Sequence, residues 1–475
     1  PTMYAAIADH PSVRELYQSR LIEAGAIGAE TAEATIKAAQ RELAATQAAL
    51  RKGQEPAGGG EADGEGELDR GSEVIPPEDI GEPPTAVPID RLRALNAVAA
   101  SVPAGFTVHP KLEKMLERRG TALDGDEAAV DWGHAEQLAL ASLLVDGTPV
   151  RLTGQDTARG TFSQRHAALW DARTGERLVP LQHLGDGQAA FELHNSPLSE
   201  YGALGFEYGY AVTARDALVL WEAQYGDFVN GAEIIIDQFI TAGLAKWRQT
   251  SRLALLLPHG YEGSGPEHSS ARLERFLSLG AEGNIRVAYP TTPAQYFHLL
   301  RRQALHPDAR PLVVMTPKSL LRLPAAASRP SELADGAFRS VLDDSRFADA
   351  KAASRVKRLL LVSGKIYYDL IGSDAFAAAN DVAIVRVEWL YPFPTDELGP
   401  VIERYGTIDS FAWVQEEPRN MGARKFVLPK IRHLVPYKIP LGDISRPERS
   451  RPAEGYPAAH AVEQDRIVRE ALTER

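Results

Sequence analysis

The sequence predicts an α/β protein with two doubly wound parallel-sheet domains, preceded by a helical segment. Three observations predict this class. From about residue 130, short apolar runs typical of strands alternate with longer helical runs, which favours a parallel sheet covered by helices on both faces. This alternation pauses in the polar stretch 323–345 and then restarts. Residues 12–51 have a helical pattern instead and are rich in alanine.

The first segment, residues 1–125, begins with two predicted helices. Ser12 and Glu15 have the spacing of a capping box, in which each side chain bonds the other's free backbone N–H. A second helix is predicted over 29–50, and a short one over 111–119. Residues 53–84 are rich in glycine and acidic residues and predict a mobile loop, because such a segment buries too little to offset its ordering entropy.

The second domain, residues 126–335, has five predicted strands. The strands are 150–153, 217–221, 253–258, 285–289 and 311–316, and the helices between them are 199–214, 230–247, 269–279 and 293–305. Ligands of such sheets bind beyond the carboxyl ends of the strands. The loops after Trp221, Pro258 and Thr316 are therefore the expected places for chemistry.

The third domain, residues 336–475, repeats this pattern on a smaller scale. Strands are predicted at 358–362, 382–387 and 411–415, with helices after residue 366, near 396–405 and after residue 420, and the tail ends in a short helix. Four charged residues lie at the strand ends: Lys365, Glu388, Glu416 and Glu417. We interpret these four as structural residues in ion pairs.

Composition excludes several classes of protein. The chain has no cysteine, which excludes disulfides, zinc–thiolate sites and cysteine nucleophiles. Its net charge of −12 argues against nucleic-acid binding. No apolar run reaches the roughly 18 residues that indicate a membrane span, and residues 1–20 lack the apolar core of a secretory signal. A cytoplasmic protein without membrane or nucleic-acid partners is expected.

The most unusual stretch, 259–272, directly follows a predicted strand. His259, Glu262, Glu267 and His268 flank glycines there. Three interpretations stay open, namely a structural loop, a metal site, and a flexible loop that carries an acid–base histidine over a bound ligand. The metal interpretation lacks the i,i+4 histidine pair of a metallopeptidase helix. A serine hydrolase is excluded, because Glu262 stands where its motif requires glycine.

Glu200 is a second candidate, at the start of a predicted helix. A carboxylate in a first turn can be explained by the helix dipole alone. Residues 185–187, Gly-Asp-Gly, resemble the opening of a metal–diphosphate signature, but the next asparagine, Asn195, comes too early to complete it. We interpret 185–187 as a turn.

Five stretches resemble the 2-oxoglutarate dehydrogenase family, thiamine-diphosphate-dependent decarboxylating enzymes. They are residues 154–166, 198–210, 220–228, 257–272 and 315–322, within a resemblance that runs from about 85 to 437. The alanine-rich and acidic details resemble the actinobacterial, multifunctional 2-oxoglutarate metabolism enzymes. The resemblance implies pyrimidine-binding and C-terminal domains of the transketolase type. It also implies that this chain is a C-terminal half, with 1–125 as the end of a diphosphate-binding domain.

The resemblance implies roles for five residues of the site. Glu200 matches the carboxylate that bonds the cofactor's pyrimidine ring and drives its activation. Leu198 matches the bulky residue that holds the two cofactor rings in a bent conformation. Gln224 and Phe228 match the wall beside the pyrimidine, and His268 matches a substrate-side histidine.

The resemblance also implies cofactors, partners and a regulator. The cofactors are thiamine diphosphate and Mg²⁺, with the metal ligands expected outside this chain. The partners are a second copy of the chain, a dihydrolipoyl succinyltransferase and a dihydrolipoyl dehydrogenase. Arg310 lies where members of the family bind a nucleotide activator, acetyl-CoA or AMP, and its planar fork suits phosphate.

The implied reaction is decarboxylation of 2-oxoglutarate and transfer of the four-carbon unit to lipoamide in the tricarboxylic acid cycle. Carboligation to 2-hydroxy-3-oxoadipate is a further implied activity, and an acyltransferase activity is expected in the preceding part of the protein. Two alternatives stay open: a transketolase or pyruvate-type dehydrogenase with the same cofactor, and a non-catalytic interaction subunit. The non-catalytic alternative predicts loss of the activating carboxylate, whereas Glu200 stands in a matching segment.

Overall fold

A computed structural model describes residues 7–53, 81–406 and 408–473. The chain divides into two compact units, residues 1–71 and 72–475. The acidic stretch 53–84, predicted as a mobile loop, lies outside the described residues except at its two ends.

The first unit contains the two predicted helices, Val13–Glu23 and Ala29–Gly53. The predicted capping box is confirmed. The backbone N–H of Glu15 donates to Oγ of Ser12 at 3.3 Å, and the N–H of Ser12 donates to Oε2 of Glu15 at 2.8 Å. Both free donors at the start of the helix are therefore satisfied by side chains.

The second unit is a mixture of helices and strands, as predicted. Its α-helices are Ile89–Ala99, Pro110–Thr121, Trp132–Val145, Glu200–Thr213, Glu233–Ile235, Gly243–Trp247, Leu273–Leu279, Pro293–Leu305, Pro330–Ala334, Ala350–Ala353, Ile366–Ile371, Thr395–Arg404, Arg424–Leu434 and Pro457–Thr473. The helix Trp132–Val145 was not predicted. Nearly all of its residues are buried, so its sequence lacks the one-sided apolar period of a surface helix.

The larger sheet has seven strands. Their order across the sheet is Trp389–Tyr391, Arg286–Ala288, Leu312–Thr316, Leu253–Pro258, Leu218–Glu222, Val150–Gly154 and Phe191–Asn195. All neighbouring pairs are parallel except the first, which is antiparallel. Leu218 and Leu220 enter one apolar core and Val219 and Trp221 another, so both faces of this sheet are covered. The prediction of a doubly wound sheet is confirmed.

The second sheet has five strands. Their order is Leu441–Arg446, Ser410–Pro418, Arg358–Val362, Val382–Val387 and Val341–Leu342, and only the last strand is antiparallel. A separate two-stranded hairpin pairs Leu169–Trp170 with Arg177–Leu178. None of the described helices is long and apolar enough to cross a bilayer.

Two predicted helices differ from those observed. The run 230–247 is broken into the 3₁₀ segment Gly226–Ala232, a short helix, the π-turn Ile236–Ile240 and the helix Gly243–Trp247. The run 269–279 becomes helical only at Leu273. The reason is that the N–H groups of Ser270 and Ala271 donate to the side chains of Asp227 and His259 instead of continuing a helix.

Candidate functional site

The candidate site residues follow the carboxyl ends of the parallel strands in the larger sheet. Each strand leads into a loop that carries one of them: Gln155, Leu198, Gln224, His259 and Lys318 follow the strands Val150–Gly154, Phe191–Asn195, Leu218–Glu222, Leu253–Pro258 and Leu312–Thr316. Since parallel strands end at the same edge, these loops form one face. The loops after Trp221, Pro258 and Thr316, which are the expected places for chemistry, lie at this edge.

Glu200 is the first residue of the helix Glu200–Thr213. Ser199 caps this helix by accepting the N–H of Gly202 at 3.2 Å. Oε1 of Glu200 accepts a hydrogen bond from Nε2 of Gln155 at 2.9 Å. A Cβ placed on Gly231 would lie 3.5 Å from Oε2 of Glu200. The carboxylate is thus held at one oxygen, and its other oxygen faces a residue without a side chain.

Phe228 and His268 lie together in an aromatic cluster. The ring of His268 is 5.8 Å from that of Phe228 and 4.4 Å from that of Tyr225, meeting the latter edge to face at 89°. Phe162 packs against the far side of Tyr225 at 5.4 Å. Two aromatic rings, those of Tyr225 and Phe228, therefore contact the imidazole and limit its orientations.

The loop that carries His268 is fastened at its start by His259. Nδ1 of His259 accepts the N–H of Ala271 at 3.0 Å, and Nε2 lies 2.9 Å from Oε1 of Glu417. A backbone N–H can only donate, so Nδ1 carries no proton. Nε2 therefore carries the ring proton and donates a hydrogen bond to the carboxylate. His259 is buried and holds the loop in place from beneath.

Asp227 is buried beside this histidine. Its Oδ2 accepts the N–H of Ser270 at 3.0 Å. Burial raises the pKa of Asp227 to about 6, although the hydrogen bond from the N–H of Ser270 and the positive charge of Lys318 oppose the rise. Burial alone also acts to raise the pKa of Glu417, but the hydrogen bond from His259 brings that pKa below its ordinary value.

The remaining predicted site residues lie in three different environments. Leu198 is 85% exposed, on the loop just before Glu200. Gln224 is half-buried and lies four residues before Phe228 in the same loop. Arg310 precedes the strand Leu312–Thr316 and therefore lies at the opposite edge of the sheet, where it bonds the carbonyl oxygen of Gly283 and pairs with Asp308. The structure does not bring Arg310 to the face that carries Glu200.

Structural ion pairs were predicted for the four charged residues at the strand ends of the third domain, and the structure shows such pairs for only some of them. Nζ of Lys365 lies 2.7 Å from Oε1 of Glu416 and also contacts Asp369. Glu417 pairs with His259. Glu388 instead accepts hydrogen bonds from the N–H and the hydroxyl of Thr291. All four side chains are buried, and burial makes such bonds necessary.

Sequence reasoning did not select Tyr225, Phe162, Asp227 or Lys318. All four lie inside the stretches that carry the resemblance, but only the folded chain brings them to His268. The signal that selects Asp227 and Lys318 is their position, because each follows the end of a buried parallel strand. No group of three or more metal-binding side chains is found in the described ranges.

Two family models match the chain. The model described as transketolase, pyrimidine binding domain matches residues 128–324, and the model described as 2-oxoglutarate dehydrogenase C-terminal matches residues 327–472. The first match contains the seven-stranded sheet apart from Trp389–Tyr391, and the second contains the five-stranded sheet.

Curated relatives are similar over the whole chain. A 2-oxoglutarate dehydrogenase E1 component of Geobacillus sp. (strain WCH70) is 47% identical over 483 residues, which cover 100% of this chain and 49% of the relative. Relatives of the same name from Geobacillus kaustophilus (strain HTA426) and Bacillus cereus (strain AH820) are also 47% identical and are covered to 49%. The chain thus spans about half the length of the curated relatives it matches.

Proposed function

Since the chain belongs to the family of 2-oxoglutarate dehydrogenase E1 components, over the half of that protein that it spans, we propose that it forms the pyrimidine-facing side of a thiamine diphosphate site that decarboxylates 2-oxoglutarate. One observation carries this proposal. At the carboxyl ends of the parallel strands, a carboxylate oriented at one oxygen lies against Gly231 of the segment Gly226–Ala232, and this segment also carries Phe228, which contacts the ring of His268.

The described residues fit the pyrimidine end of that cofactor. Oε2 of Glu200 accepts no hydrogen bond from the described residues and faces Gly231, so it is free to accept one from a ligand. The rings of Phe228 and Tyr225 offer apolar area for a flat heterocycle. When bound, thiamine diphosphate supplies a carbanion and an electron sink for the departure of carbon dioxide.

Glu200 has the central role in this proposal. Its Oε2 would accept a hydrogen bond from the protonated pyrimidine ring nitrogen and hold the proton at that atom. Gln155 keeps the carboxylate in one orientation, so little reorganisation is needed when the ligand binds. Charge-assisted hydrogen bonds of this kind are roughly twice as strong as neutral ones.

The neighbouring side chains position the ligand. Phe228 and Gln224 would form the wall beside the pyrimidine, and Leu198 would support the bent arrangement of the two rings. His268 would face the substrate, where its imidazole can donate a hydrogen bond to the oxo acid or to developing negative charge. The rings of Tyr225 and Phe228 limit the orientations of that imidazole.

A homodimer is part of the proposal. Several large apolar side chains are exposed on the helix Glu200–Thr213 and the neighbouring segment 226–247: Tyr201, Phe206, Ile234, Phe239 and Trp247. Gly205 on the helix lies against Ile235 of that segment, so the two elements pack together. Clustered exposed apolar area indicates an interface, and a second copy of the chain is the occupant that the family resemblance favours.

The proposal also includes features of the whole protein. They are Mg²⁺ bound outside this chain, transfer of the four-carbon unit to lipoamide, carboligation to 2-hydroxy-3-oxoadipate, and assembly with dihydrolipoyl succinyltransferase and dihydrolipoyl dehydrogenase components. Arg310 as part of an acetyl-CoA or AMP activator site and a cytoplasmic location belong to the same set. For Arg310, the position at the opposite sheet edge supports a site separate from that of Glu200.

A substrate panel tests the proposed function. The full-length protein is assayed with thiamine diphosphate and Mg²⁺ on 2-oxoglutarate, pyruvate and a ketose phosphate, and kcat/KM is compared. We expect 2-oxoglutarate to be preferred by about 10²-fold or more, the difference that a site built to bind a second carboxylate can supply. Preference for either other substrate would favour a pyruvate-type dehydrogenase or a transketolase. Failure to bind thiamine diphosphate would favour a non-catalytic subunit.

A further inference from the structure

Lys318 donates hydrogen bonds to both ends of the glycine-rich loop 260–268. It lies in the loop after the strand Leu312–Thr316 and is only 7% exposed. Its Nζ donates a hydrogen bond to the carbonyl oxygen of Gly260 at 2.8 Å and another to the carbonyl oxygen of His268 at 2.5 Å. A single ammonium group therefore closes the loop across its base.

The loop contains three glycines, whose backbone can adopt more conformations than that of other residues. Gly260, Gly263 and Gly265 have φ values of +146°, +73° and +91°, a region that glycine enters without steric cost. Inside the loop, the remaining main-chain bonds are few: Gly260 N–H donates to Ser269 O at 2.9 Å, and His268 N–H donates to Gly265 O at 3.4 Å. The hydrogen bonds from Lys318 are charge-assisted. The bond from Lys318 to the carbonyl oxygen of His268 is therefore stronger than the bond from the His268 N–H to Gly265.

The surroundings of Lys318 keep its ammonium aimed at these carbonyl groups. Burial lowers the pKa of Lys318, while the carboxylates of Glu262 and Asp227 oppose that change. Glu262 is itself anchored, because its Oε1 accepts the N–H of Ser319 at 2.8 Å. The hydrogen-bond partners of the Lys318 ammonium among the described residues are the carbonyl oxygens of Gly260 and His268.

We propose that Lys318 is a positioning residue that acts through His268. Holding the carbonyl of His268 fixes the backbone from which the imidazole projects, and the rings of Tyr225 and Phe228 then limit its side-chain orientation. The imidazole is thereby placed for the reaction before substrate binds. This inference rests on the proposed function of His268.

The expected size of the effect follows from geometry. A displacement of a reacting group by about 1 Å can cost on the order of 10²-fold in rate. Replacing Lys318 by methionine keeps an unbranched side chain that is one atom shorter and removes all its donors. The carbonyl oxygens of Gly260 and His268 then lose their partner, and the loop is free to sample other conformations.

Hydrogen exchange of the full-length protein tests whether Lys318 holds the backbone of the loop 260–268. In Lys318→Met we expect amide exchange in the segment 260–268 to accelerate at least about tenfold, with the strand Leu253–Pro258 unchanged. Lys425→Met, which removes an exposed lysine in the other sheet domain, is the matched control and should leave this exchange as in the parent. Unchanged exchange across 260–268 in Lys318→Met would overturn the proposal.

A double-mutant cycle tests whether Lys318 acts through His268. We expect Lys318→Met alone to lower kcat for 2-oxoglutarate by roughly 10- to 10²-fold with thiamine diphosphate affinity retained. In the His268→Ala background the same change should cost less than about twofold, because the positioned group is gone. Fully additive losses would show a merely structural role and overturn the proposal. Lys318→Gln, which keeps a shorter donor, gives the same cycle if the methionine variant does not fold.

The two measurements separate this proposal from the proposed function. Accelerated loop exchange in Lys318→Met, together with parental turnover in His268→Ala, would show that Lys318 holds the loop and would overturn the assigned role of His268. Parental loop exchange in Lys318→Met, together with a large loss of turnover in His268→Ala, would support the assigned role of His268 and overturn the role of Lys318.

Discussion

Nε2 of His259 donates a hydrogen bond to Oε1 of Glu417 at 2.9 Å, between residues 158 positions apart in the chain. His259 follows the strand Leu253–Pro258 of the seven-stranded sheet, and Glu417 lies in the strand Ser410–Pro418 of the five-stranded sheet. The second imidazole nitrogen accepts the N–H of Ala271. One buried side chain therefore connects the second sheet to the loop that carries His268, so the geometry of the candidate site depends on both sheets.

Glu200→Gln should abolish cofactor activation while the fold remains. The amide keeps the shape of the side chain and the contact with Gln155 but loses the charge that would stabilise a proton on the cofactor ring. We expect decarboxylation of 2-oxoglutarate by the full-length protein to fall by about 10²- to 10³-fold, the scale observed for removal of one preorganised electrostatic contact. Turnover and the circular dichroism spectrum are measured together.

The matched control for this change is Glu233→Gln. Glu233 lies on the neighbouring segment and pairs at the surface with Arg275 at 3.0 Å, so its loss should change turnover little. A Glu200→Gln enzyme that works within threefold of the parental rate would show that this carboxylate does not activate the cofactor.

His268→Ala should lower turnover by roughly 10²-fold or more, the usual contribution of a positioned acid–base group. Thiamine diphosphate binding should be retained, because the imidazole is assigned to the substrate side. Single-turnover kinetics and cofactor titration measure the two effects separately. The assignment fails if the variant loses thermal stability but keeps its turnover per folded molecule, since His268 would then be a packing residue against Tyr225.

Asp227→Asn should change how stability depends on pH. In the unfolded chain this carboxyl ionises near its ordinary pKa of 3.8, whereas burial raises its pKa to about 6 in the folded protein. Between these values the folded state binds the proton more tightly, so the contribution of Asp227 to stability falls as pH rises through this window and is constant above it. The full difference corresponds to at most about 3 kcal/mol.

The asparagine variant has no ionisation to lose, and its amide oxygen can still accept the N–H of Ser270. Its thermal midpoint relative to the parent should therefore rise from about pH 4 to about pH 6 and level off above that pH. Thermal unfolding at several pH values checks this expectation. A difference that stays the same at every pH would mean that Asp227 ionises in the folded protein as it does in the unfolded one.

Arg165→Met should destabilise the protein strongly. The guanidinium of Arg165 bonds Glu136 at 2.5 Å and Glu222 at 2.6 Å, and all three side chains are buried. Removing the cation leaves two buried carboxylates without a counter-charge, which costs about 3–5 kcal/mol. Arg469→Met, which removes an exposed i,i+4 pair with Asp465, is the control and should cost about 0.5 kcal/mol or less. Thermal midpoints that fall equally in the two variants would contradict this prediction.

The strands Leu253–Pro258 and Leu312–Thr316 were predicted to within one residue, because each is a continuous apolar run between polar segments. Other elements gave no such signal. Phe191–Asn195 is a strand of mixed polarity whose last two residues are exposed, and Trp389–Tyr391 is only three residues long. Both are strands because neighbours in the sheet supply their hydrogen-bond partners, and such partners are distant in sequence.

The alternation of strands and helices, the polar edge of the larger sheet and the segments of Glu200 and His268 could be predicted from the order of the amino acids, because local residue patterns carry all of them. The contacts of each residue could not be predicted in this way. They are Gln155 with Glu200, Tyr225 with His268, and Lys318 with both ends of the loop 260–268. These contacts join loops that follow different strands, and a parallel sheet brings such loops to one edge whatever their separation along the chain.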